Sequence, residues 1–511
     1  MNPLIPLFVV IPLAGAFLIM ILGRFIKDFN KYFASLVLLL LAVFSIYCLA
    51  TTGNNASLYK VGGWEPVNLI PIGIYMVMDG FTVLVLCIIN VVGFLSVFYS
   101  ISYIKRFTAE NLFYALFCLM IGGMNGVVLS GDLFNIFVFL EISVISSYAL
   151  VAFGVEKNEL EASFKYQVLG GLASFLILFA IALIYWKTKT LNIADISKVL
   201  KTGSDRSFYL FVELLILCGF GLKAAIIPFH AWLPDAHSSA PSPISAMLSG
   251  VLIKAVGIYV IIRLFFNMFA VSENMSVLIT TLGTLSMVIG VFLAIGQWDI
   301  KRLLAYHSIS QMGYVVLSVG IGMIIISRGG RPDIAALAVA GGIFHLINHA
   351  AFKGLLFLNA GSIEYTIGTR DLKEMGGLAK SMPVTSATSF IASLSISGIP
   401  PFNGFFSKLI IIIAAIMGKF YLLALLAVIV SIITLASFMK FQRYAFYNKT
   451  GNNRKEIKEV PFPMMFSMIL MSLLCFVLSL LAFPGIRDVI LMPAIDILTD
   501  PVKYSSFIIG N

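Results

Sequence analysis

Charged residues are scarce in this 511-residue chain, at 11% of the sequence, whereas soluble globular proteins carry about a quarter. Hydrophobic residues make up 60%, and the mean hydropathy is +1.01. Apolar runs of about 20 residues recur from end to end, each long enough to cross a bilayer core of roughly 30 Å. They are too long and too continuously apolar for barrel strands, which alternate over about ten residues. The composition therefore excludes a soluble protein and predicts an all-α polytopic membrane protein.

Motifs for redox or phosphoryl-transfer chemistry are also lacking. The five cysteines all lie inside apolar runs and form no CxxC pair, which is typical of small buried hydrophobes and not of metal ligands or disulfides. The sequence contains no GxGxxG and no Walker loop. We therefore predict no catalytic residue, no metal and no cofactor in this chain.

Fourteen membrane spans are predicted, the twelfth over-long and interrupted. The first is interpreted as a retained anchor, because its basic residues follow the apolar run. More Lys and Arg fall in loops after odd-numbered spans, which predicts a multi-pass protein of the cytoplasmic membrane with both termini outside. The net charge of +10 is then mostly explained by the basic loops that set the membrane orientation, and it indicates no nucleic-acid partner. The spans cover residues 3–23, 33–50, 77–100, 112–130, 132–153, 165–186, 209–228, 244–267, 275–296, 303–326, 335–360, 384–417, 421–440 and 460–484.

A few ionisable residues lie where lipid is expected. Four lysines lie well inside predicted spans and do not fit in loops, and Glu141 lies about nine residues into the fifth. A charge at the bilayer centre costs at least roughly 2.5–3.5 kcal/mol, so such groups are functional by default. Burial disfavours the charged form of lysine, and a nearby carboxylate restores it. A single lysine could instead snorkel or form a structural ion pair. The four lysines are Lys223, Lys254, Lys353 and Lys408.

The segment FHLINHAAFKGLLFL carries His345, His349 and Lys353 at steps of four residues. On a helix these groups form one stripe roughly 12 Å long, here called the His–Lys ladder. Histidine titrates near neutrality and can take a proton at one nitrogen while releasing it from the other. The ladder therefore predicts a proton path through the protein interior. The alternative is a structural stripe in which Lys353 snorkels outward.

Two spans are interrupted by proline and glycine. Lys223 precedes Pro228 by five residues, and Lys408 follows Pro400 and Pro401. Such breaks are simple kinks or the lining of a polar cavity, and the adjacent lysines favour the cavity. They fall in the seventh and twelfth spans, an odd offset that predicts two inverted repeats. The predicted organisation is three N-terminal helices (1–111), repeat 1 (112–267), repeat 2 (275–447) and a last helix with a tail (460–511).

Several segments carry a family resemblance. The segment PFHAWLPDAHSSAPSPISAMLSGVLIKAVGIY resembles the signature of the antiporter-like subunits shared by respiratory complex I, multisubunit Na+/H+ antiporters and membrane-bound hydrogenases. The segments LLAYHSISQMGYV, HLINHAAFKGLLFLNAGS and SISGIPPFNGFFSKL are similar to later motifs of that family. The resemblance covers roughly residues 75–445.

The resemblance implies fourteen helices with inverted five-helix repeats, in agreement with the count above. It implies that Glu141 and Lys223 form a coupling pair. It further implies that Lys254 and the His–Lys ladder carry protons inward, and that Lys408 ends the path. In complex I subunits this last position is Glu or Lys, and Lys408 matches the second kind.

Within the family, SGDLFNIFVFLE and LFLNAGSIEY are more similar to the D-type antiporter subunit and its hydrogenase counterparts than to complex I. Our first expectation is a proton-translocating subunit of an energy-converting complex such as a membrane-bound hydrogenase. Its partners would be other membrane subunits and a peripheral redox module that holds any nickel–iron, iron–sulfur or quinone site. The alternatives are the D-type subunit of an Na+/H+ antiporter without redox partners and a stand-alone secondary transporter. The sequence leaves open whether Na+ moves with H+.

Overall fold

The computed structural model describes residues 3–53, 56–64, 73–202, 205–269, 271–448 and 457–509. Helices dominate these ranges. In chain order they are α1 (Leu7–Leu22), α2 (Phe29–Thr52), α3 (Gly80–Tyr103), α4 (Glu110–Leu129), α5 (Leu133–Val151), α6 (Lys157–Thr188), α7 (Ile193–Thr202), α8 (Arg206–Lys223), α9 (Trp232–Ser239), α10 (Ser242–Met247), α11 (Tyr259–Asn267), α12 (Glu273–Ile295), α13 (Ile300–Ser327), α14 (Pro332–Ile367), α15 (Leu378–Ser381), α16 (Pro383–Ser397), α17 (Asn403–Met417), α18 (Tyr421–Gln442), α19 (Phe462–Val477), α20 (Pro484–Ile490), α21 (Met492–Thr499) and α22 (Pro501–Ile509).

Eleven helical segments in the described ranges are long and apolar enough to cross a membrane, so the all-α polytopic class is confirmed. The three predicted spans outside this set are the first, which is the 16-residue α1, and the two interrupted ones. The count of fourteen spans and the inverted repeats stay predictions. Four-residue strands, which were not predicted, form an antiparallel hairpin between α2 and α3, β1 (Ser57–Lys60) and β2 (Tyr75–Met78).

Both proline-containing stretches interrupt helices. Helix α8 ends at Lys223, and α9 begins at Trp232, with a cis peptide bond before Pro228. Proline lacks the N–H that an α-helix interior requires. The indole Nε1 of Trp232 donates to the carbonyl of Leu222 at 3.0 Å, and the Ile227 N–H donates to Ser286 Oγ at 2.9 Å. Side chains thus complete part of the backbone hydrogen bonding at this break.

The second break lies between α16 and α17. Gly398 adopts a left-handed conformation (φ +77°) at the end of α16, and the bond between Pro400 and Pro401 is cis. Ser479 Oγ, next to α19, donates to the Pro401 carbonyl at 3.0 Å. The break is therefore held against the last predicted span.

The predicted span over 244–267 is not uniformly α-helical. Two π-helical turns, Leu248–Leu252 and Lys254–Ile258, separate α10 from α11. A π-turn leaves carbonyls displaced from the regular i to i−4 pattern, and such turns are frequent at functional sites. The sequence carries no proline here that would have indicated the irregularity.

Helices α12 and α13 approach very closely. A Cβ on Gly283 would lie 2.5 Å from the Leu317 nitrogen, and one on Gly313 would lie 2.2 Å from the Met287 nitrogen. Close backbone approach at small residues is a common way for helices to associate in membranes. Helix α13 of this pair packs against α14, the helix that carries the His–Lys ladder.

The C-terminal tail folds back onto the helix bundle at a buried ion pair that the sequence did not indicate. Arg263 Nη2 lies 2.8 Å from Asp79 Oδ1, and both side chains are almost fully buried. The guanidinium also lies 5.0 Å from the centre of the Tyr504 ring, and Asn267 Nδ2 donates to the carbonyl of Ile497 at 2.7 Å. A buried pair is tolerated only when further hydrogen bonds complete it; its place under the tail indicates a structural role.

Candidate proton pathway

The carboxylate of Glu141 and the ammonium of Lys223 are joined through a serine. Ser174 Oγ donates to Glu141 Oε1 at 2.5 Å and accepts from Lys223 Nζ at 3.0 Å. The direct separation of Glu141 Oε1 and Lys223 Nζ is 3.9 Å. Glu141 and Lys223 therefore lie together as predicted. Ser174, which connects them by hydrogen bonds, was not predicted from the sequence.

Glu141, Ser174 and Lys223 lie on three different helices, α5, α6 and α8. Asp132 caps the N-terminus of α5 by accepting from the Asn135 N–H at 2.9 Å, which fixes where this helix begins. Helix α5 carries Glu141, whose side chain is 28% exposed, whereas Lys223 at the end of α8 is 1% exposed. The buried ammonium depends on its partners, while the carboxylate remains reachable from outside the chain.

Lys254 lies in the π-helical region between α10 and α11. Its Nζ donates to the carbonyls of Ser249 at 2.7 Å and Gly250 at 2.5 Å. The ammonium therefore satisfies carbonyls from the irregular backbone just before it. Lys254 is 1% exposed and forms no ion pair with a carboxylate of the described ranges.

The His–Lys ladder lies on the continuous helix α14 and is buried at 0% exposure throughout. His345 contacts Ser407 Oγ through Nδ1 at 3.0 Å and Gln311 Oε1 through Nε2 at 3.2 Å. The ring nitrogens of His349 and the Lys353 ammonium have no hydrogen-bond partner within the described ranges. The ladder thus faces the protein interior and not lipid, and Lys353 does not snorkel outward.

Two further histidines lie near the His–Lys ladder. His237 of α9 is fully buried and without a hydrogen-bonding partner in the described part of the chain, and it lies within electrostatic range of Lys254 and Lys353. His307 of α13 contacts Ser437 Oγ through Nε2 at 2.8 Å. Both histidines stand in the family-like motifs quoted above, and that position is the signal that could have found them.

Lys408 lies next to the second helix break. Its Nζ donates to the Ile396 carbonyl at 2.8 Å and to Ser431 Oγ at 3.2 Å. The ammonium also lies 4.9 Å from the centre of the Tyr314 ring. A cavity of about 230 Å³ adjoins this lysine between α17 and α18. Like Lys254, Lys408 is held by neutral oxygens at an irregular stretch of backbone.

The surface beside α9 carries a cluster of ion pairs that joins the two halves of the chain. Arg302 Nη1 lies 2.6 Å from Asp235 Oδ1, and Lys165 Nζ lies 3.1 Å from Asp235 Oδ2. Burial alone would raise the pKa of Asp235, but hydrogen bonds and charges from Arg302 and Lys165 bring it below its ordinary value. Arg370 adds a contact to Asp299 at 3.5 Å. These pairs connect α6 and α9 with α13 and the loop after α14.

The groups described above, from Glu141 to Lys408, are here called the buried row. The residues predicted from the sequence all lie in the protein interior or at its edge, and the structure adds Ser174, His237 and His307. Neutral hydroxyl and carbonyl oxygens hold Lys254 and Lys408, whereas Lys223 also has the Glu141 carboxylate nearby. Within the described ranges, no three His, Cys, Asp or Glu side chains are grouped for a metal ion.

Comparison with known proteins gives a consistent result. Residues 130–434 match the family model described as "NADH:quinone oxidoreductase/Mrp antiporter, TM". The chain is 36% identical to the D-type subunit of the Na(+)/H(+) antiporter of Alkalihalophilus pseudofirmus, over 83% of each chain. It is 34% identical to the N-type subunit of the NADH-quinone oxidoreductase of Desulforudis audaxviator, over 79% of this chain and 78% of that one.

Solved structures are similar over 99% of both chains. One is from the Mrp complex of Dietzia sp. DQ12-45-1b, at 26% identity and a TM-score of 0.88. Another is from an archaeal respiratory membrane complex, the membrane-bound sulfane sulfur reductase, at 28% identity and a TM-score of 0.87. Both belong to multisubunit membrane complexes, so other membrane subunits are the expected partners. The chain belongs to the family of antiporter-like membrane subunits shared by NADH:quinone oxidoreductases and Mrp antiporters.

Proposed function

We propose that this chain is the D-type subunit of a multisubunit Na+/H+ antiporter and that it moves protons along the buried row from Glu141 to Lys408. The observation that carries the choice is the similarity to a D-type antiporter subunit over 83% of both chains. This replaces our first expectation of a membrane-bound hydrogenase, because the relatives above are not hydrogenase subunits. A stand-alone transporter is disfavoured, since these relatives are named as subunits.

The Glu141–Ser174–Lys223 chain acts as the switch in this proposal. With Glu141 ionised, the carboxylate and Ser174 together hold the proton on Lys223. At about 4 Å and an effective dielectric constant of 20, the attraction between unit charges is about 4 kcal/mol, and partial exposure of Glu141 reduces it. Protonation of Glu141 removes this attraction, so the buried ammonium is destabilised and releases its proton.

The released proton moves into the row that contains Lys254 and the His–Lys ladder. His345 is held between Gln311 and Ser407, so it can accept at one ring nitrogen while the other donates. His237 and His349, whose ring nitrogens are not engaged by described residues, are the groups most available for exchange. Lys408 receives the proton at the far end of the row.

A second candidate function is a subunit of a redox-driven complex. It is favoured by the similarity to an N-type subunit of a quinone oxidoreductase and by the TM-score of 0.87 to an archaeal respiratory complex. In that case a peripheral redox module would be a further partner. The row of proton-exchanging residues would be used in the same way, but electron transfer in partners would drive it.

Reconstituted vesicles distinguish the two functions. The complete complex would be placed in proteoliposomes, a Na+ gradient imposed, and the internal pH followed with no electron donor present. The antiporter proposal expects Na+-dependent proton movement that is lost in a Glu141→Gln complex of verified assembly. Proton movement that appears only after addition of an electron donor would contradict it and support the redox-driven function. The purified chain alone should move no ion.

A further inference from the structure

A second buried carboxylate lies apart from the proton row. Glu213 of α8 is 8% exposed, ten residues before Lys223 and thus about 15 Å away along the helix axis. Of the two carboxylate residues in the described ranges that are at least nine-tenths buried, Asp79 is paired with Arg263. Glu213 forms no hydrogen bond or ion pair with a described residue, and Arg206 acts on it only at a distance. Burying a carboxylate without a partner destabilises the folded protein, so its presence needs an explanation.

The Glu213 side chain lines a cavity of about 500 Å³. The cavity lies between α8 and the ends of α12 and α13, on the face that the charge bias of the loops predicts to be external. Another acidic side chain in its wall, Glu273, is already paired with Arg328 Nη2 at 2.7 Å. The other titratable groups of its lining are Arg206 and Tyr209 of α8. Among the residues described, Glu213 therefore carries the one carboxylate of this cavity that has no ion-pair partner.

The cavity does not continue into the proton row. Ile216, Leu217 and Phe220 lie between Glu213 and Lys223 on α8, and all three are buried. Apolar side chains of this kind give a proton or a hydrated ion no partner along the helix. The Glu213 cavity is thus a separate site and not the end of the row.

We propose that the Glu213 cavity is a binding site for a small monovalent cation, either a proton or Na+, taken from the medium on that face. A carboxylate oxygen is a hard ligand suited to Na+ or H+, and burial makes neutralisation of its charge favourable. Ser272 and Asn274, whose side chains also carry oxygens, line the same cavity. The site deepens the proposed antiport function and rests on it, because it lies where a cation would exchange with the outer medium.

Infrared difference spectroscopy on the purified complete complex tests the proposal without relying on transport. In one arm the pH is titrated in K+ buffer, and in the other K+ is exchanged for Na+ at a fixed alkaline pH. We expect a carboxyl signal in at least one arm that disappears in Glu213→Gln and returns in Glu213→Asp. A signal confined to the first arm identifies a proton site, and a signal in the second identifies Na+.

The matched control is Glu273→Gln, which removes the paired carboxylate from the same cavity wall and should retain the Glu213 signal. We also expect the cation concentration for half-maximal antiport to rise at least threefold in Glu213→Gln. Difference spectra of Glu213→Gln that match the wild type in both arms would overturn the proposal. Because the spectra report binding alone, an absence of antiport in the wild-type complex would count against the proposed function and not against this site.

Discussion

Replacing Ser174 with alanine tests the hydroxyl that connects the coupling pair. The substitution removes the donor to Glu141 at 2.5 Å and the acceptor for Lys223 at 3.0 Å. It leaves the direct separation of 3.9 Å between the two charged groups. The Coulombic attraction therefore survives, and only the hydrogen-bonded bridge is lost.

The expected magnitude follows from these contacts. A hydrogen bond to a charged group contributes about 1.5–3 kcal/mol net. Glu141 is 28% exposed, so water can replace the serine on the carboxylate side. The bond to the 1%-exposed Lys223 is the one that cannot be replaced as readily. A loss of about 1.5–3 kcal/mol on the path for proton transfer corresponds to a rate decrease of roughly 10- to 150-fold.

The assay is the initial rate of Na+-dependent pH change in vesicles that contain equal amounts of assembled complex. Ser174→Thr keeps the hydroxyl and should retain most of the rate. Ser146→Ala is a matched control, because Ser146 Oγ donates to the Ile142 carbonyl of its own helix, at 2.8 Å, and does not touch the coupling pair. A Ser174→Ala complex that works at the wild-type rate would refute the role of the bridge.

Three other predictions concern the row and the two helix breaks. Glu141→Gln or Lys223→Ala should abolish ion movement while the complex still assembles, and wild-type flux in vesicles from either variant would remove both from the mechanism. His349→Leu keeps the bulk of the side chain but removes both ring nitrogens, so we expect a strong loss of proton flux with normal membrane insertion. Ordered water should lie beside Pro228 and Pro401 in a high-resolution experimental structure, and dry, apolar surroundings at both prolines would contradict this.

Properties that act within one or two helical turns could be predicted from the sequence. The apolar runs predict the membrane class, and the spacing of the His–Lys ladder places its three groups on one face, because helical periodicity is a local property. The breaks near Pro228 and Pro401 follow from the missing N–H of proline. The membership of Glu141 and Lys223 in one site came from the family resemblance and not from their spacing.

Only the tertiary structure decided which groups meet. Ser174 is separated from Glu141 by 33 positions and from Lys223 by 49, and no local pattern distinguishes it from the other serines of the chain. The π-turns around Lys254 and the isolation of Glu213 also depend on how distant helices pack. The sequence by itself determined that charges would lie in the membrane, because each is visible in its own apolar run. Whether a given charge is paired, bridged or left without a partner was decided by packing, because a partner's identity depends on contacts between helices far apart along the chain.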